Sequence, residues 1–402
     1  MTLDVHALRA HFPALASGVA HFDGPGGTQT PAVVGQAIAE TLTGPLSNRG
    51  DRTVSERNAD ESVTAFRSAY ADLLGVPPEG IVFGRSATQL TYDFSHHLSR
   101  DWGPGDEVVV TRLDHDANVR PWTQAAERAG ATVRWIELDP ATGELALDDL
   151  ESLFGERTRV VALTAASNLL GTRPPVRRIA DLAHRAGALV YVDAVHHAAH
   201  STVDTRALGA DFLVCSPYKF LGPHCAVLAA DPALLETVRA DKLAPATDVV
   251  PERFEYGTLP YEVLAGATAA VDFLASLAPD RTGARRDRLV AAYQVIEEHE
   301  LALRQRLEDG LAALGPRVTV HSRAPERTPT VFVTFPGHRS QDVSRHLVTR
   351  DVHAPAGSFY AHEAFAALDL EDEGGLRAGL APYTTAEEVD RLLAALGEYL
   401  GG

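Results

Sequence analysis

The sequence predicts an α/β chain built on a mainly parallel sheet, with a smaller α+β unit towards its C-terminal end. Three observations carry that expectation. Between residue 62 and about 230, short β-branched runs alternate with stretches of helical periodicity, as happens when parallel strands are covered by helices on both faces. The stretches between them, such as "PWTQAAERAG" and "VRRIADLAHRAG", end in glycine, the residue that most readily stops a helix. Beyond residue 281 a long amphipathic stretch leads into a second strand-and-helix pattern.

The expected strands of the first unit are, in order, "IVF", "EVVVTR", "TVRWIEL", "RVVALTAAS", "ALVYVD" and "DFLVCS". In the second unit, residues 281 to 314 read as one long helix, "RVTVHS" and "TPTVFVTF" as strands, and "SQDVSRHLVTR" and "TTAEEVDRLLAALGEYL" as helices. The expected boundaries are an N-terminal segment over 1–20 packing with the small domain, a large domain over 21–275 and a small domain over 276–402. No internal repeat or low-complexity segment interrupts this order.

Composition narrows the function. With 402 residues, 45% of them hydrophobic, the chain can bury a large core. A net charge of -18 and the lack of any basic run disfavour nucleic acid and anionic membranes as partners, leaving a small molecule as the expected ligand. No run of about 18 apolar residues occurs, and the N-terminus lacks the basic start and apolar core of a signal peptide. Two cysteines are too few for a disulfide framework or a four-ligand zinc site. The expectation is a cytoplasmic protein.

Lysine usage points to chemistry. Of 36 basic residues only Lys219 and Lys242 are lysines, and lysine, unlike arginine, can lose its proton and act as a nucleophile. Lys242 sits among charged residues and reads as a solvated surface side chain. Lys219 lies in "CSPYKFLGPH", just beyond an expected strand.

Ligands of open parallel sheets bind beyond the carboxyl ends of the strands. Four such ends carry polar groups: "VFGRSATQ", "VVVTRLDHDANVRPW", "LTAASNLLGT" and "LVYVDAVHHAAH". Ser86, Ala87 and Thr88 precede a helix, where free amides suit a phosphate, although an ordinary helix cap has the same sequence. Asp193 closes an apolar strand, so its carboxylate needs a cation or donors. A lysine, a strand-end aspartate, a phosphate-suited turn and a stacking histidine together are what a pyridoxal phosphate site requires: an amine for the Schiff base, an acid for the ring nitrogen and a cradle for the phosphate.

With these motifs in hand, the chain resembles the class V aminotransferase family of fold-type I pyridoxal phosphate enzymes, which includes cysteine desulfurases, over nearly its whole length. The resemblance implies a large domain with a mainly parallel seven-stranded sheet plus a small α+β C-terminal domain. "SPYK" is similar to the family's S-x-H-K, which implies that Lys219 is the Schiff-base lysine and Ser216 and Tyr218 are phosphate contacts, with Ala87 and Thr88 at the phosphate turn. "DHDAN" resembles E-H-x-A and puts His115 over the ring. "SNLLG" places Asn168 near the phenolic oxygen, and "VDAVH" assigns Asp193 to the ring nitrogen with His196 where glutamine is usual. "FEYGTLP" implies that Thr258 reaches the phosphate of a neighbouring subunit, hence a homodimer with shared sites. "LRAGLAPYTT" implies that Arg377 grips the substrate carboxylate through a bidentate pair, near Gly26 of "DGPGGTQ".

One departure directs the functional expectation. Desulfurases of this family use a cysteine on a loop before that arginine, and the corresponding stretch here, "APAGSFYAHEAF", has none. The resemblance then implies an enzyme acting on an α-amino acid, first a carbon-sulfur β-lyase of cysteine, cystine or a cysteine S-conjugate, with Ser358, Phe359 and Tyr360 lining the side-chain pocket. Transamination is the alternative, followed by epimerisation or decarboxylation, and outside catalysis a silent cofactor-binding regulator. Other readings are weaker. A metal on "HHAAH" needs a continuous helix at its i, i+4 spacing, "DGPGGTQ" lacks the third glycine and βαβ setting of a dinucleotide site, and no G-x-S-x-G elbow occurs.

Overall fold

Apolar strand runs bounded by helix stops produce the order of elements. The computed structural model describes residues 3–370 and 374–401. The strands, in chain order, are β1 (Ala20–His21), β2 (Ile81–Gly84), β3 (Glu107–Thr111), β4 (Thr132–Ile136), the short pair β5 (Leu138–Asp139) and β6 (Glu144–Leu145), β7 (Thr158–Thr164), β8 (Leu189–Asp193), β9 (Phe212–Cys215) and β10 (Ala226–Ala230). A second group comprises β11 (Thr319–Val320), β12 (Thr330–Thr334), β13 (Val352–His353), β14 (Ala356–Gly357) and β15 (Gly375–Gly379).

Seven strands form one sheet in the order β2-β10-β9-β8-β7-β3-β4. Only β10 runs antiparallel to its neighbours; the other pairs are parallel. The six expected runs all appear, and β10 is the strand the sequence did not announce: "AVLAA" has one β-branched residue and no alternation, so nothing separates it from a buried helix turn. Every residue of β2, β3, β9 and β10 is buried, as a sheet covered on both faces requires. One covering cluster gathers Val82, Val108, Val110, Trp122 and Val214; the opposite one gathers Phe66, Val109, Val161, Val192 and Leu213.

A four-stranded antiparallel sheet, β11-β12-β15-β14, has its own core, in which Val331, Val333 and Leu376 meet Leu307, Leu392 and Leu396. The expected long helix is Arg285–Ala313, and the closing helices are Ser340–Val348 and Ala386–Gly401. The N-terminal segment touches both units. Phe12 packs its ring against Phe273 and Tyr383, Arg9 donates to the Tyr383 carbonyl at 2.7 Å and to Glu388 at 3.0 Å, and β1 pairs with β13. Among the described residues no helix is long and apolar enough to cross a membrane.

Candidate active site

The parallel strands β3, β7, β8 and β9 deliver their following loops to one end of the large sheet. His115 follows β3, Asn168 follows β7, Asp193 ends β8, and Ser216 to Lys219 follow β9. Arg377, on β15, reaches this group from the small sheet and donates through Nη1 to the Asn168 carbonyl at 2.9 Å.

Lys219 sits on a short 3-10 turn, Pro217–Lys219. Its ammonium donates to the Pro25 carbonyl and lies 4.9 Å from the centre of the Tyr218 ring. Burial, then the nearby Arg377, lower its pKa to about 7, with Asp193 opposing. The glycine-rich turn is laced to this segment: Thr28 N–H donates to the Tyr218 carbonyl at 3.0 Å and Leu221 N–H to Thr28 Oγ1 at 2.8 Å. The turn lies close against that ring, since a Cβ on Gly27 would stand in van der Waals contact with it, at 3.5 Å.

Asp193 is buried and accepts a hydrogen bond from Val195 N–H at 2.8 Å. Burial pushes its pKa up to about 6 against that donor and Lys219. Such a carboxylate lacks a cationic donor, which the protonated nitrogen of a pyridine ring would be. His115 accepts from Ala117 N–H through Nδ1 at 3.0 Å, leaving Nε2 for its proton. Burial first, then Lys219 and Arg377, lower its pKa to about 4, so the imidazole is neutral. Tyr360 stacks on it, with ring centres 5.5 Å apart and planes 24° from parallel.

Arg377 is 3% exposed, and burial lowers its pKa to about 9 while Asp23 raises it. Its guanidinium lies 3.8 Å over the Phe359 ring, and its Nε is buried without a partner. A guanidinium left with free donors in a buried setting is arranged to receive an anion. Gly26 adjoins it, since a Cβ there would stand 3.8 Å from Nη2. A cleft of about 730 Å³ reaches Asp23, Gly26, Tyr218, Phe359 and Arg377, and a much smaller pocket of about 10 Å³, room for one water, lies behind Lys219 against His196 and His200.

The loop before β15 closes over these groups. Asn168 Nδ2 donates to the Phe359 carbonyl at 2.8 Å, and Asp116 N–H donates to the Tyr360 carbonyl at 2.7 Å. Phe359 and Tyr360 both hold positive φ, 55° and 56°, conformations that cost energy for non-glycine residues. Asn168 Oδ1 is buried with no partner. Ser358 is exposed, and Tyr360 is 75% exposed at the rim.

Other expected residues sit as follows. Ser86 caps the helix Ala87–Leu98 by accepting from Gln89 N–H at 3.1 Å, which leaves Ala87 and Thr88 at the helix start, where backbone amides are free. Ser216 is 1% exposed. Thr258 lies on an exposed stretch with Tyr256 and Gly257 and makes no hydrogen bond to a site residue of its own chain. His196 turns Nε2 towards Thr328 and Thr330, at 2.9 and 3.1 Å, leaving only Nδ1 for another partner; burial keeps the ring neutral. His200 is taken by Glu300 at 2.9 Å, and the "HHAAH" stretch is a 3-10 turn, not a continuous helix.

Two groups at the site were missed by the sequence reading. Asp114, fully buried, accepts from Thr111 and from Asn118 Nδ2, and burial pushes its pKa up to about 8. Through these two bonds it fixes the loop that presents His115. Its sequence signal was its place three residues beyond an apolar strand, as the first residue of "DHDAN". Asp23, the carboxylate nearest in effect to Arg377, had no signal beyond its place in the glycine-rich turn.

A lysine with a depressed pKa facing a buried aspartate, a neutral imidazole and an arginine poised for a carboxylate define a pyridoxal phosphate-dependent enzyme of fold type I. The aminotransferase class-V family model matches residues 20–392, and the chain belongs to that family. It is 34% identical to the uncharacterized protein MT3887 of Mycobacterium tuberculosis (strain CDC 1551 / Oshkosh), covering 98% of this chain and 99% of the relative. It is 30% identical to a cysteine desulfurase of Escherichia coli O127:H6, covering 98% of each. The crystal structure of the cysteine desulfurase CsdA (S-sulfonic acid) from Escherichia coli superposes with a TM-score of 0.88 at 27% identity, covering 100% of this chain and 99% of that one. Enzymes of this family depend on pyridoxal phosphate, and Lys219, Asp193, His115 and the amides at Ala87 fit that cofactor's aldehyde, ring nitrogen, ring face and phosphate.

Proposed function

We propose that this protein is a carbon-sulfur β-lyase acting on cysteine, cystine or a cysteine S-conjugate, and not a persulfide-forming desulfurase. One observation carries the reading: the loop over the site offers Ser358, Phe359 and Tyr360 but no thiol, and both cysteines of the chain lie in the core. Cys215 and Cys225 are 0% and 1% exposed. Burial pushes both thiols up, Cys225 to about 12, and a buried neutral thiol is a poor sulfur acceptor.

Bound pyridoxal phosphate would supply an aldehyde for the amine and a ring that withdraws electrons from the substrate α-carbon. The chain's residues do the rest. Arg377 pairs with the α-carboxylate and so fixes which bond at the α-carbon faces Lys219. The Lys219 amine, with a pKa near 7, takes the α-proton and can return it. Asp193 keeps the ring nitrogen protonated, and neutral His115 covers one ring face. Loss of the β-substituent then gives pyruvate and ammonia, with one water consumed, together with hydrogen sulfide from cysteine, cysteine persulfide from cystine or a thiol from an S-conjugate. A homodimer with shared sites belongs to the same proposal and is supported by the exposed Thr258.

Purified holoenzyme incubated with cysteine S-conjugates and with ordinary amino acids tests this directly. Equal amounts of thiol, pyruvate and ammonia support elimination. Pyridoxamine phosphate with a keto acid would establish transamination instead. Deuterium uptake at the α-carbon without other product would mean epimerisation, and persulfide on the protein would overturn the argument from the loop.

A further inference from the structure

β1 and β13 pair in parallel with His21 opposite His353, so the two imidazoles emerge on the same side of adjacent strands. Their ring centres are 5.4 Å apart and the rings stand nearly perpendicular, at 83°. Asp23, two residues beyond His21, brings Oδ1 to 3.4 Å from His21 Nδ1. That oxygen is shielded from solvent and accepts no hydrogen bond. One ligand atom from each of the three side chains lies within 4.8 Å of the other two.

We infer that His21, Asp23 and His353 form a three-ligand site for a first-row divalent metal ion of the zinc type. Two imidazoles and one carboxylate are a ligand set that holds such ions while leaving a coordination position open. Tetrahedral zinc at roughly 2.0–2.1 Å from each ligand sets neighbouring ligand atoms about 3.4 Å apart, the separation already present between Asp23 and His21. Rotation of the partly exposed His353 ring brings in the third. The competing contact, Gln29 Nε2 to His21 Nδ1 at 3.3 Å, is long and is displaced when the ion binds. All three ligands are partly exposed, so the ion has a route in, and the desolvation that would oppose a charged ion is modest.

The position gives the site a consequence. Asp23 opens the turn whose Pro25 carbonyl holds Lys219, and β13 leads into the loop carrying Phe359 and Tyr360. An ion here ties the N-terminal strand, the lysine-contacting turn and the start of that loop to one point. None of this depends on which reaction the enzyme performs.

Zinc chloride titrated calorimetrically into chelator-treated holoenzyme tests the site, in wild type and in His353→Ala, His21→Ala and Asp23→Asn. The expected result is one ion per chain in wild type, binding at least tenfold weaker in each variant, and a melting midpoint several degrees higher in saturating zinc only for wild type. Zinc-edge absorption spectra should show two imidazole ligands. Equal zinc binding by wild type and His353→Ala, or a spectrum without paired imidazoles, overturns the assignment, because the other histidines of the chain would then account for the uptake. Should His21→Ala fail to fold, His353→Gln gives the same comparison.

Discussion

The depressed pKa of Lys219 predicts how the protein without cofactor captures an aldehyde. With a pKa of about 7, set by burial and by the charge of Arg377, roughly half of the amine is free base at pH 7, against about three parts in ten thousand for an ordinary lysine. The second-order rate of pyridoxal phosphate capture, followed by borohydride trapping and mass mapping to Lys219, should therefore rise with pH through about 7 and level off above 8. The sign follows from the charge: the reactive form is the deprotonated one, so lowering the pH removes it. Arg377→Ala takes away the second-largest cause of the shift and should move the midpoint upward, while Lys242, partly buried, donating to the Ala246 carbonyl at 2.8 Å and paired with Asp248 at 3.2 Å, serves as the comparison residue in the mass map. A midpoint at 9 or higher in wild type would refute the reading that Lys219 is held ready as a neutral nucleophile.

Three further outcomes are expected. Arg377→Ala should also raise KM for amino acids on the order of 10- to 150-fold, the equivalent of a lost charged hydrogen bond of about 1.5–3 kcal/mol, and an unchanged KM would remove Arg377 from carboxylate binding. Gly379→Ala would bring a methyl group to 2.1 Å from the Pro25 ring; overpacking of this kind costs about 1–3 kcal/mol, measurable by chemical denaturation, and the displaced Pro25 carbonyl should also slow aldehyde capture by Lys219. Cys225→Ala should keep turnover within about twofold while losing roughly 1 kcal/mol of stability, whereas loss of turnover would show that the buried thiol takes part in the chemistry.

What could be read from sequence follows the range of the interactions involved. Six strands of the large sheet were legible because each is a local run of β-branched and aromatic residues, and the groups on the loops after β3, β7, β8 and β9 came with them, since a polar residue closing an apolar strand is a local pattern as well. β10 was not, because its small apolar residues carry no period. His196 shows the same limit at the site. Its place in "VDAVH" gives no sign that Nε2 is held by Thr328 and Thr330, more than a hundred residues away and on or beside the small sheet.

That contact bears on the lyase reading proposed above. His196 and Arg377 both join the large sheet to the small one, the first through Thr330 on β12 and the second through the Asn168 carbonyl. Asn168 in turn holds Phe359, so the arginine, the asparagine and the loop form one hydrogen-bonded chain. A loop fixed in this way by backbone carbonyls, with two residues in positive φ, is suited to forming a pocket wall around a leaving group. Asn168→Ala, which cuts one of the two straps and leaves every residue assigned to proton transfer in place, should therefore loosen selectivity among S-substituents more than it lowers turnover on the best one. Competition between a small and a bulky conjugate measures this, and an equal loss on both would show that Asn168 serves the chemistry and not the pocket.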